Sequence, residues 1–80
     1  MQIVKLWCDK TPYQLPEGEH TGSNLNAFFG VPDDYNLYLE SIDPNKEDDY
    51  IPRDDAAVML SGARRFYTIP IIKAIKDRKP

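Results

Sequence analysis

The sequence predicts an α+β domain, a mixed sheet of four to five strands with one helix packed across it. Three observations carry that prediction. Two short β-type segments flank Asp9-Lys10 in the manner of a hairpin. Leu25, Phe28 and Phe29 recur at i, i+3, i+4 just ahead of Gly30, as on one face of a short helix. Two later segments, 37–42 and 64–69, alternate at period two, as half-buried strands do. At 80 residues, with 41% apolar and 29% charged side chains, the chain is one ordinary globular unit rather than a disordered one. A domain this small buries only about 60–65% of its unfolded surface. That size argues against a deep catalytic cleft and favours a module that presents surface.

Residues 2–8, Gln-Ile-Val-Lys-Leu-Trp-Cys, are β-branched and aromatic and too short for a helix. A two-residue turn at Asp9-Lys10 sets Cys8 opposite Thr11, Leu6 opposite Tyr13 and Val4 opposite Leu15. Partners across a ladder share a face, so Val4, Leu6, Tyr13 and Leu15 lie together, with Ile3, Lys5 and Trp7 on the other side. Pro12 suits only an edge strand or a strand start. Residues 17–20 read as polar loop. Thr21 and Ser23 are both N-cap candidates, Gly30 is a natural C′ residue, and Pro32 forbids continuation. The helix is then about two turns long.

In the 37–42 segment Leu37 and Leu39 share one face and Tyr38 and Glu40 the other. Residues 43–49 form a solvated loop, and Tyr50-Ile51-Pro52 a short edge strand. Asp54 or Asp55 is expected to cap a turn of helix carrying Val58 and Leu60, closed by Ser61-Gly62. In the last strand Phe66 and Thr68 face one way, and Tyr67 and Ile69 the other. The expected core is Val4, Leu6, Leu15, Leu25, Phe28, Leu37, Leu39, Leu60 and Phe66. With the last strand placed beside the first, this order of elements is the β-grasp layout.

The residues also carry a resemblance. Thr21-Gly22 precedes a short apolar helix. Gly30-Val31-Pro32-Asp33-Asp34-Tyr35 and Leu37-Tyr38-Leu39-Glu40 follow. Asp54-Asp55 with Val58 and Leu60, then Gly62 and Arg65-Phe66-Tyr67-Thr68-Ile69-Pro70, complete the pattern. Over roughly residues 3–70 the chain resembles the bacterial multiubiquitin family of ubiquitin-like domains. The resemblance implies a protein modifier in a ubiquitin-like conjugation pathway. Its partners would be ubiquitin-activating-like and conjugating-like enzymes and a deconjugating peptidase. Two departures stand out. The hairpin turn is Asp9-Lys10, where the family often has Asp-Gly. Conjugatable relatives also carry glycine after the last strand, whereas here the sequence runs on to Lys79-Pro80 and its last glycine is Gly62. The alternative is a ubiquitin-like adaptor that is never conjugated and binds through its sheet face.

Charge and chemistry narrow the function classes. Residues 1–62 hold four basic and twelve acidic side chains, a balance of −8, and residues 63–80 hold six basic and one acidic, a balance of +5. A body of −8 repels phosphates, so nucleic acid is an unfavourable partner. No apolar run approaches the length of a bilayer span, and a single cysteine, Cys8, suits a reducing, cytoplasmic compartment. Catalysis has little support. His20 sits among Glu17 and Glu19 with no nucleophile or orienting group spaced to join it, and Cys8 reads as a small buried hydrophobe beside Asp9. The acidic clusters lack the ligand spacing of a calcium loop, and no cofactor is expected. Tyr38, Tyr67 and Ile69 form the expected contact patch on the open face of the sheet. Residues 71–80 read as a basic and apolar tail after a domain of residues 1–70. In that tail Ile71, Ile72 and Ile75 form a stripe expected to dock on a sheet face, this chain's own or that of a second copy in self-association, or else to be removed.

Overall fold

The structure, a computed structural model, describes residues 2–71. The elements in chain order are β1 (Ile3–Cys8), β2 (Thr11–Pro16), β3 (Gly18–Thr21), α1 (Gly22–Phe29), β4 (Tyr35–Leu39), β5 (Asp49–Ile51), β6 (Ala57–Leu60) and β7 (Arg64–Pro70). Five strands make one mixed sheet in the order β2-β1-β7-β4-β5. β7 lies parallel to β1 and antiparallel to β4. One helix on a mixed sheet, with the last strand inserted beside the first, is a β-grasp arrangement. Residues 72–80, including Ile72 and Ile75 of the expected tail stripe, lie outside the described residues. Ile71 is half-buried, and its N–H donates to the Asp34 carbonyl at 2.8 Å.

The hairpin has the expected register, Cys8 with Thr11, Leu6 with Tyr13 and Val4 with Leu15. Its turn needs positive φ at both central residues, and Asp9 stands at 51° and Lys10 at 75°. Asp9 is suited to that place because it does more than turn. Its N–H donates to the Phe66 carbonyl at 3.2 Å, and its carboxylate accepts from the Thr68 N–H at 3.1 Å and from the Thr68 hydroxyl at 2.5 Å. The turn is thereby tied to β7, which helps to set the parallel β1–β7 pairing. Lys10 shows no such compensation among the described residues for its left-handed backbone, a conformation natural to glycine.

Pro12 and Pro16 stand in β2 at an outer edge of the sheet. The Glu17 N–H donates inward to the Gln2 carbonyl at 2.8 Å. Alternation along an antiparallel strand then turns residues 12, 14 and 16 outward. Two of those three positions are prolines and have no N–H to offer.

Thr21 caps the helix as expected, its Oγ1 accepting from the Asn24 N–H at 3.0 Å. Gly30 ends it in the left-handed conformation at φ 67°. The buried positions of α1 are Gly22, Leu25, Asn26 and Phe29, so the apolar face is rotated from the expected one. Phe28 was expected in the core but is 42% exposed, while Phe29 is buried against Phe66, ring centroids 4.9 Å apart. Asn26 takes the position on the buried face because its Nδ2 donates to the Gly22 carbonyl at 2.9 Å and to the Ile51 carbonyl at 3.1 Å. The helix start is pressed against the loop after β5, where the Gly22 N–H donates to the Ala56 carbonyl and the Ser23 N–H to the Asp54 carbonyl. Arg53 ties the same loop to the helix exit, donating to the carbonyls of Tyr35, Val31 and Pro32.

Two further expectations are corrected. Residues 17–20 are not polar loop, and residues 54–60 hold no turn of helix. Gly18–Thr21 and Ala57–Leu60 pair antiparallel as a second, two-stranded sheet. Pairing satisfies the backbone groups of both segments and drives Leu60 to full burial. Asp54 still makes a local turn, its Oδ1 accepting from the Ala56 N–H at 3.0 Å. The core comprises Val4, Leu6, Cys8, Leu25, Phe29, Leu37, Leu39, Ile51, Leu60 and Phe66, with Tyr13, Leu15, Val31 and Val58 half-buried around it. Leu15 therefore belongs to the margin, and Ile51 belongs inside.

Candidate binding surface on the open face of the sheet

Strand alternation divides the side chains of the five-stranded sheet between two faces. Leu37, Leu39 and Phe66 point to the helix side and are buried. Tyr38 and Tyr67 therefore point to the open side, as does Ile69, which is 42% exposed. Register sets Tyr38 directly opposite Tyr67 on one side and Tyr50 on the other. The Tyr38 and Tyr67 rings stack, centroids 5.4 Å apart and planes 11° apart, and Tyr50 tilts against Tyr38 at 5.6 Å. Ile69 stands opposite Asn36, further along the same face. All three patch residues named from sequence thus share the open face, with Tyr38 and Tyr67 in contact.

The structure adds residues that alternation alone did not single out. Tyr50 extends the aromatic row and is 52% exposed. Asp48 anchors the row, since Tyr67 Oη donates to its Oδ2 at 2.5 Å and the Ser41 N–H donates to its Oδ1 at 2.8 Å. The Ser41 amide, and then the Tyr67 hydroxyl, hold the Asp48 carboxyl below its usual range. The same carboxylate pushes the Tyr67 phenol up to about 12. Beyond Tyr67, the Arg65 guanidinium lies 5.6 Å from the centroid of the Trp7 ring, a cation–π arrangement. Trp7 could have been found from the hairpin register, which already put it on this face. Asp48 could not, because nothing in a run of acidic loop residues marks the one that meets Tyr67. Between Trp7, Lys10, Glu40, Arg65 and Tyr67 the face holds a shallow depression of about 390 Å³. Such a rim of aromatic groups with oriented polar atoms suits a protein surface better than a small molecule held in an enclosed site.

The groups weighed for catalysis lie elsewhere. His20 is in β3 rather than a loop, and its Nε2 donates to the Pro16 carbonyl at 2.7 Å. Cys8 is buried in the core, and burial, then the Asp9 charge, push its thiol from its ordinary 9.0 to about 11. Among the described residues no three His, Cys, Asp or Glu side chains gather where they could hold a metal ion, and no helix is long and apolar enough to cross a membrane.

These shifts have a pH consequence. Raised folded values mean that the stabilisation from Cys8 is complete below about pH 9 and lost as pH rises through about 11. That from Tyr67 is lost between about pH 10 and 12. We expect the native chain at pH 8 to resist a thiol reagent that modifies the urea-unfolded chain at once. Unfolding midpoints should fall steadily above about pH 9. Rapid modification of the native chain would show that Cys8 is not buried.

Comparison with protein-family models, with curated proteins and with solved structures gave no match. The fold and the open face define an α+β module of β-grasp type.

Proposed function

We propose that the chain is a ubiquitin-like module of a bacterial conjugation pathway, a modifier without catalytic activity of its own that acts in the cytoplasm. Activating-like and conjugating-like enzymes would carry it, a deconjugating peptidase would release it, and these partners would bind through Tyr38, Tyr67 and Ile69. The observation that carries the reading is the ordered aromatic row on the face of a β-grasp sheet that points away from the helix. Rigid tyrosines with one edge in water are efficient contact residues. The sequence resemblance to multiubiquitin domains supplies the pathway.

A second reading, an adaptor that is bound but never attached, is favoured by the residues that follow β7. Activation needs a glycine carboxylate slim enough to enter an adenylating site, and Ile71-Ile72-Lys73 stand where a conjugatable relative carries glycine. Incubation of the full chain with its activating-like enzyme and ATP, read by intact mass, separates the two. An adenylate or thioester supports the modifier. Binding without transfer, weakened by Tyr67→Ala, supports the adaptor. Neither transfer nor binding would reject both.

A further inference from the structure

We propose that the open face of the sheet is a two-fold self-association surface whose partner is a second copy of this chain. β7 runs down the middle of the five strands, with β1 and β2 to one side and β4 and β5 to the other. The open face is polarised across that line. Towards β1 it carries Lys5, and the Arg65 guanidinium leans the same way over Trp7. Towards β5 it carries Glu40 and Asp48.

These groups also share a level along the strands. Trp7 pairs with Arg65, the Glu40 N–H donates to the Arg65 carbonyl at 2.8 Å, and Asp48 precedes Asp49, the partner of Leu39. A two-fold axis lying between two such faces and parallel to β7 exchanges the two sides of the sheet but keeps the level. It sets Arg65 of each copy against Glu40 and Asp48 of the other, twice over, as an isologous interface requires. The tyrosines then meet at the centre, where aromatic residues are favoured. An axis across the strands would lay like charge on like if it passed at that level. At any other level it would set these groups against the uncharged end of the face that carries Asn36 and Ile69.

The area sets the strength. Strands of five to seven residues at about 4.8 Å spacing make a face on the order of 400 Å² per copy. The two copies together would bury about 800 Å², less than the roughly 1,200 Å² of a stable specific interface, so the dimer is weak, transient and sensitive to salt. The inference goes beyond the conjugation reading, because a face occupied by a second copy is closed to an enzyme.

Sedimentation equilibrium of the full chain from about 10 μM to 1 mM at low salt tests it. The wild-type chain should dimerise. Arg65→Glu and Glu40→Arg should each raise the dissociation constant at least about tenfold. An equimolar mixture of the two variants should recover the dimer, since each then supplies the opposite charge to the other at both symmetric contacts. Both side chains are exposed, and urea unfolding of each variant checks that it is folded. A chain that stays monomeric throughout, variants that dimerise like wild type, or a mixture that fails to associate would each overturn the proposal. A monomeric chain would leave the outcome of the transfer assay open, and a failed transfer would leave the dimer standing, so the two readings fail separately.

Discussion

Gly22→Ala is expected to destabilise the domain by about 3 kcal/mol, the upper part of the range for forced overpacking. At most positions in a helix the same change is favourable by about 0.5–1 kcal/mol, because alanine restricts the unfolded chain and suits the helix. The sign reverses here because a Cβ on Gly22 would stand 2.0 Å from the Pro52 carbonyl oxygen, with the Pro52 carbonyl carbon at 3.3 Å and the Ile51 Cγ2 at 3.4 Å. The obstacle is backbone, so no rotamer change relieves it. Retreat of the loop would strain the Gly22-to-Ala56 and Ser23-to-Asp54 hydrogen bonds together. It would also strain the Asn26 bond to the Ile51 carbonyl. Urea denaturation with an unchanged m-value measures the loss. A Gly22→Ala variant as stable as wild type would mean that the helix does not sit this close to the loop.

Leu39→Ala should cost about 2–5 kcal/mol. Leu39 is 4% exposed and belongs to the one contiguous core. Its neighbour Tyr38 lies on the opposite face, so Tyr38→Ala should cost less and should change partner binding instead. A domain of this length has only about 4–12 kcal/mol in total, so Leu39→Ala can bring it close to unfolding at room temperature. The pair of midpoints checks which residue of β4 points inward. A larger loss at Tyr38 than at Leu39 would reverse the faces of the sheet.

The parts of the fold legible in the sequence are those set by local periodicity joined to a punctuating residue. Val4 to Leu15 could be registered because two alternating segments meet a two-residue turn, and a slip of one would turn the core residues to water. Thr21 and Gly30 bound the helix by capping chemistry that acts within a turn. The phase of the helix was less legible. Leu25, Phe28 and Phe29 satisfy apolar spacing, yet the buried set runs 22, 25, 26, 29. It includes a glycine chosen for close approach and an asparagine chosen for two carbonyls 29 residues apart in sequence, Gly22 and Ile51. The β3–β6 sheet was hidden for a related reason. Glu19 and His20 have strand backbone only because Met59 and Val58 lie opposite, and a non-local pairing leaves no mark in either segment. For the candidate surface, alternation alone identified Tyr38, Tyr67 and Ile69. Tyr50 and Asp48 required the registers of β5 and its preceding loop.

The prolines of β2 bear on how the molecule behaves when crowded. A free sheet edge is a template on which another chain can lay a strand, and repeated addition leads to fibres. Here two of the three outward donors of β2 are removed by Pro12 and Pro16. The opposite edge, β5, is three residues long, begins with an aspartate and is followed by Pro52. Both rims of the five-stranded sheet are blunted against strand growth, so a concentrated solution of the folded chain should stay free of cross-β material. Copies strung close together would meet flank to flank without fusing their sheets.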